Sequence, residues 1–138
     1  MQASDKRKIE FDQRLEQSKA LLDNSRIVEA EKNTEKILED FPDSAEALYV
    51  LAVCQRYLNR LEEALKTLKN LIQIRPGYGR AFQEEGHVCV KAGYISQAKS
   101  AYRHAVNLNN SLIASWAGLT KILKSEGNEK NAKITEYE

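Results

Sequence analysis

The stretch GRAFQEEGHVCVKAGYISQAKSAYRHA, residues 79–105, decides the fold, because small and apolar residues recur in it at helical spacing on either side of Gly93. Phe82 and Gly86 mark one helix, Gly93 marks the break, and Ala98, Tyr102 and Ala105 mark a second helix. Glycine suits a left-handed turn between helices, and alanine suits a close helix crossing. Outward from this stretch the same marks return. Ala30, Ala64, Ala98 and Ala132 recur at one constant spacing, which Pro42 and Pro76 share, with Asn110 in the third equivalent place. Gly93 and Gly127 are also one period apart, and Leu48, Phe82 and Trp116 form an apolar series of their own. A period of about 34 residues belongs to helix–turn–helix units that stack, since one unit alone cannot bury its apolar face.

These residues resemble the tetratricopeptide repeat family. The second unit carries Leu48, Leu51, Ala52, Ala64, Leu68 and Pro76, and the fourth begins with Trp116, Leu119, Gly127 and Ala132. The first keeps Ala30, Ile37 and Pro42 but has Arg14 and Gln17 in the aromatic and leucine slots, as an end unit facing water would. The resemblance covers about residues 9–138 and implies an all-α fold, a right-handed α-solenoid of about four antiparallel helix pairs. One array over residues 1–138 is expected, with units at about 11–44, 45–78, 79–112 and 113–138, the last incomplete. The segment Gln83–His87, with Tyr102-Arg103 and the run Leu108–Trp116, also resembles the amino-terminal repeats of bacterial tetratricopeptide proteins that carry a sulfotransferase domain. That resemblance implies a recruiting, positioning or oligomerising module, with no catalytic residue carried onto any position here.

Composition agrees with an all-helical domain. Charged residues make up 30% of the chain and prolines number two, so neither a strand-rich nor a disordered class fits. A net charge of +1 gives no global pull toward nucleic acid or membrane. Met1–Lys8 is polar and basic with no apolar run behind it, and no stretch approaches the roughly 20 apolar residues of a membrane span. A soluble, cytoplasmic, bacterial protein is expected, as a module of something longer. Cys54 and Cys89, each flanked by valine, read as reduced, buried side chains with no Cys-x-x-Cys spacing. No metal and no cofactor is expected: His87 and Cys89 are two apart on one helix and face different ways, and His104 stands on another. No nucleophile–base pair or paired carboxylate stands outside the core pattern, so the chain reads as a non-enzyme.

Caps predict helices over about 5–23, 26–40, 44–58, 60–74, 79–92, 95–108, 112–126 and 128–138, with Asp43–Glu46 and Asn59–Glu62 as capping pairs. Pro76-Gly77-Tyr78-Gly79 reads as a repeat junction through which the register runs on. Glu85 sits in the slot of Leu51 and Leu119, where a carboxylate is costly; it is expected to reach the surface or to pair, for example with Ser115. No polar helix follows to cover Ile122, Leu123, Ala132 and Ile134, so either self-association through the last unit or a longer array from which this one is cut is expected.

In the family this chain resembles, the first helix of each unit lines a concave groove. The implied groove residues are Lys19, Tyr49, Arg56, Arg80, Gln83, His87, Lys121 and Lys124. Their charge is mostly basic, so an extended, acidic segment of a partner protein is the expected ligand of a protein–protein interaction scaffold. Nucleic acid fits poorly, since Tyr49 is the lone stacking aromatic among them. The clamp by which some relatives grip chaperone tails would fall on Leu15, Lys19, Val50, Arg80 and Glu84, where Arg80 alone keeps the required charge and Glu84 opposes it.

Overall fold

The computed structural model describes residues 2–137, with side chains described for 2–129. Among these residues there are seven helices and no strand: α1 (Ala3–Asp23), α2 (Ile27–Asp40), α3 (Ala45–Tyr57), α4 (Leu61–Ile74), α5 (Gly79–Ala92), α6 (Ile95–Leu108) and α7 (Ile113–Tyr137). The chain is of the all-α helical-solenoid class that its period foretells. It divides at Pro76–Gly77 into two compact units, Met1–Pro76 and Gly77–Glu138.

In the first unit α1 packs on α2, α2 on α3 and α3 on α4. Ala30 and Ala64, the periodic alanines, are fully buried, and Ile37, Leu68 and Leu71 fill the space beside them. Polar side chains stitch these seams. Asn33 Nδ2 donates to Ser18 Oγ at 2.7 Å between α1 and α2, and Thr67 Oγ1 donates to Gln55 Oε1 at 2.7 Å between α3 and α4. Arg60 Nη1 meets the buried Glu31 carboxylate at 2.6 Å, tying the α3–α4 turn back to α2. In the second unit α5 packs on α6, and α7 lies against both.

The turns inside the pairs follow one plan. Ser25, Asn59 and Gly93 have φ of 63°, 61° and 84°, and the residue after each donates its N–H to the carbonyl five residues back: Arg26 to Leu21, Arg60 to Gln55 and Tyr94 to Cys89, at 2.9, 2.8 and 2.8 Å. That closure satisfies the last carbonyls of each first helix. Asn59 therefore holds a left-handed turn instead of opening α4, whose preceding residue Arg60 offers no side-chain cap. At α3 the cap is Ser44, whose Oγ accepts from the N–H of Ala47 at 3.2 Å, in place of the expected Asp43. The expected break near residue 127 is also corrected. α7 runs on through Gly127, which has helical backbone, so 112–126 and 128–138 are not separate helices. Ile122 is buried while Leu123 is 42% exposed; the side chains of Ala132 and Ile134, named with them in the sequence, lie outside those described.

Both cysteines are free and buried. Burial, with the Glu31 carboxylate nearby, pushes the Cys54 thiol up to about 12. At pH 8 only about one Cys54 in ten thousand is then a thiolate, the form that reacts. Iodoacetamide at pH 8 should therefore leave Cys54 unlabelled in the native protein and label it after unfolding, as read by peptide mass spectrometry. Native labelling at the rate of a free thiol would contradict this burial.

Candidate functional site

The second unit contains a groove of about 750 Å³ walled by α5 and α7 and floored by Tyr102 of α6. Its shape comes from glycine. Cβ atoms built on Gly86 and Gly118 would stand 2.4 and 2.6 Å from the Tyr102 ring, so only hydrogens at these two places let the ring lie flat between α5 and α7. Tyr102 is 2% exposed, and its hydroxyl lies 2.7 Å from His87 Nδ1 in a hydrogen bond. The ring thus supplies a stiff floor with one polar point. Along α7 the wall begins with Ala114, Ala117 and Gly118, small residues that admit a close backbone, and continues through Lys121, Ile122 and Ser125. Opposite stand Val90 and Ile95, 42% and 41% exposed, apolar surface facing open space. Glu126 and Glu129 complete the rim, and Glu126 is held by Lys99 Nζ at 2.9 Å.

Of the eight groove residues expected from the sequence, His87 and Lys121 meet in this groove. Arg80 and Lys124 are exposed on α5 and α7 outside its lining. Gln83 is occupied otherwise: its Oε1 accepts from the N–H and the hydroxyl of the fully buried Ser115, at 3.0 and 2.8 Å. Lys19, Tyr49 and Arg56 belong to the first unit. There Lys19 meets Glu16 at 3.6 Å, Tyr49 is half-buried against the cluster of Leu15 and Val50, and the Arg56 guanidinium lies 4.7 Å from the Tyr57 ring centre.

Two expectations about the acidic pair are corrected. Ser115 is the partner of Gln83, not of Glu85, since Gln83 lies two residues round the helix on the α7 side. Glu84 is not a groove charge set against Arg80; it is 2% exposed. Leu15 and Val50 are buried as well, so three of the five chaperone-clamp places face the interior in this chain. Glu85 is half-buried beside the stacked rings of Phe82 and His104, whose centres are 4.0 Å apart. Burial raises its pKa, and the charge of His104 opposes the rise. Tyr102 was legible only as a core aromatic; the glycines facing it across two helices are what turn it into a floor.

Tetratricopeptide repeat profiles match residues 21–84 and 79–112. Tetratricopeptide repeat protein 7B of Homo sapiens is 26% identical over 104 residues, which are 75% of this chain and 12% of that protein. The chain thus spans about an eighth of the length of this relative. Among solved structures, the Sgt2 tetratricopeptide repeat domain of Aspergillus fumigatus superposes with a TM-score of 0.81 at 17% identity, covering 88% of this chain and 82% of that one. The first such domain of Spaghetti (RPAP3), solved with the HSP90 peptide SRMEEVD, gives 0.78 at 15% identity, covering 85% and 93%. At these identities the structural likeness concerns the fold.

Gly86→Ala and Gly118→Ala should each lower stability. With a Cβ only 2.4 or 2.6 Å from the ring, overpacking falls toward the upper end of about 1–3 kcal/mol, and replacing a helical glycine returns up to about 1 kcal/mol, leaving a net loss of about 2 kcal/mol. Thermal unfolding should show the fall for both; an unchanged or higher Tm would mean that the ring is not wedged. Glu85→Gln should act oppositely and with pH. Because the folded chain favours protonated Glu85, ionisation costs stability as pH rises through its raised pKa. The variant should therefore melt higher than the parent at pH 8, and the gain should vanish below the ordinary glutamate pKa of about 4.3, where both states are protonated.

Proposed function

The chain belongs to the tetratricopeptide repeat family, and from that premise we propose that it is a non-catalytic scaffold that binds an extended segment of a partner protein. The observation that carries this is the groove over Tyr102: apolar at Val90 and Ile95, small-walled at Ala114 and Ala117, with the cation Lys121 partway along its α7 wall. Such a trough takes a backbone lying along α7 with one apolar side chain set against Val90 and Ile95. The Sgt2 and Spaghetti domains have the same fold, and the latter was solved with a peptide bound.

The segment is acidic on this reading. Lys121 at the groove, with Lys124 and Arg80 exposed on the same two helices, offers three cations, against which Glu129 stands on the rim. Glu126 is already matched by Lys99. The grip differs from a chaperone-tail clamp, since Leu15, Val50 and Glu84 are buried. We take Lys19, Tyr49 and Arg56 of the first unit as further binding residues, and we place the scaffold in a bacterial cytoplasm as part of a longer protein.

Selection from a peptide display library should enrich segments that pair an apolar anchor with flanking carboxylates. Lys121→Glu and Arg80→Glu should each weaken the selected peptide by about fivefold to tenfold, the scale of reversing one partly solvated contact. The association rate should fall as salt rises, since exposed charges are screened beyond about 8 Å at physiological ionic strength. Tight peptides indifferent to both reversals and to salt would remove the groove from consideration.

A further inference from the structure

α1 has 21 residues and α2 has 14, so the two helices cannot run level from end to end. The last residue of α2, Asp40, meets α1 at two places: its carboxylate takes Arg14 Nη1 at 2.7 Å, and its carbonyl accepts from Arg7 Nη2 at 3.2 Å. The turns of α1 before Arg14 therefore stand beside the loop that joins α2 to α3. Between them lies a cleft of about 510 Å³, within the range of ~300–1,000 Å³ over which pockets take a compact group. It belongs wholly to the first unit.

Aromatic rings make its floor. Phe11 and Phe41, both half-buried, meet edge to face with centres 4.9 Å apart, and the Pro42 ring continues the apolar surface. The loop side is held in shape: the Phe41 N–H donates to the Ile37 carbonyl at 2.8 Å, the Ser44 N–H donates to the Phe41 carbonyl at 3.1 Å, and the proline fixes its own φ. The Arg7 guanidinium lies 4.7 Å from the Phe41 ring centre, and the ring and the Asp40 carbonyl together orient it while leaving most of its N–H donors uncommitted. Lys8 lines the cleft beside it. No carboxylate among the described residues forms an ion pair with either cation: Asp40 is turned to Arg14, and Asp43, which lines the loop side, makes none.

We propose that this cleft is a binding site of the first unit, which takes an aromatic side chain of a partner protein together with a carboxylate next to it in the partner's sequence. The partner's ring covers Phe11 and Pro42, and its carboxylate receives the Arg7 fork in two parallel hydrogen bonds, with Lys8 beside them. Two cations against Asp43 leave the cleft complementary to a single negative charge. A nucleic acid fits less well, because it brings a run of phosphates past Asp43 and finds the two rings edge to face instead of stacked. The site goes beyond the groove over Tyr102 and stands whether or not that groove is occupied.

The probe is the peptide acetyl-Gly-Asp-Phe-Asp-Gly-amide, titrated into the isotope-labelled full chain and followed by amide NMR shifts. Saturable shifts should appear at the amides of Arg7, Phe11, Phe41 and Ser44, with half-saturation below about 1 mM. Arg7→Gln should weaken binding about fivefold to tenfold, and Asp43→Asn should tighten it about twofold. Both residues are exposed, and the unmoved remainder of the spectrum checks that the fold is kept. A peptide with Asn in place of both Asp residues should bind parent and Arg7→Gln alike, and one with Ser in place of Phe should not saturate. Lys121→Glu should leave the titration unchanged, so this site and the groove are read apart. Arg7→Gln binding as tightly as the parent, no shifts at these amides with millimolar peptide, or shifts at His87 and Lys121 instead would each overturn the proposal. Saturation of the same amides by adenosine monophosphate but not by the peptide would overturn it too, by assigning the cleft to a nucleotide.

Discussion

The closeness of two helices at a buried alanine is the constraint on which the rest depends. Ala30, Ala64 and Ala98 have no exposed surface, and each sits where the second helix of a pair crosses the first. With only a methyl group at the crossing, the two backbones approach closely enough for residues one turn away to interlock. Thr34, Leu68 and Tyr102, one turn after the three alanines, are buried there. A larger residue at the crossing would push the pair apart and unseat those contacts together, because cores of native density do not yield gradually. Glycine serves the same end once more at Gly86 and Gly118, where the neighbour is a ring in place of a backbone.

Close pairs leave narrow seams, and several are closed with polar groups. Ser18 with Asn33, Gln55 with Thr67 and Gln83 with Ser115 each join two helices, and Glu31 with Arg60 joins α2 to the α3–α4 turn, by hydrogen bonds of 2.8 Å or less. No buried side-chain nitrogen or oxygen among the described residues is left without a partner. The net gain per neutral bond is about 1 kcal/mol, so the larger consequence is the cost of any other pairing of helices, which would strand these groups. In a fold whose apolar pattern repeats from one unit to the next, the polar pairs are what make one seam unlike another.

The register of the fold was legible because alanines, turn residues and prolines recur for separate physical reasons at one spacing. Helix limits for α5 and α6 follow from it without correction. The groove was legible in part. A period names equivalent positions, but adjacent residues on a helix differ by about 100°, so it does not say which of Gln83, Glu84 and Glu85 meets α7, which turns inward and which lies between. Contact with a neighbouring helix settled that: Ser115 took Gln83, and Glu84 was left facing the interior. The Tyr102 floor escaped for the same reason, since a pairing of one ring with two glycines on two other helices has no signature along the chain. Gly127 shows the converse limit, a residue whose type announces a turn while its backbone stays helical.

The groove and the end of α7 share a wall, and this gives the residues after Gly127 a bearing on charge as well as on packing. Lys121 and Glu126 line the groove from α7 before Gly127, the latter tied to Lys99. Glu129 lies after it, and stands on the groove rim because α7 runs straight. Lys121 and Glu129 stand about two turns apart on the same helix, so this wall of the groove presents a field of mixed sign.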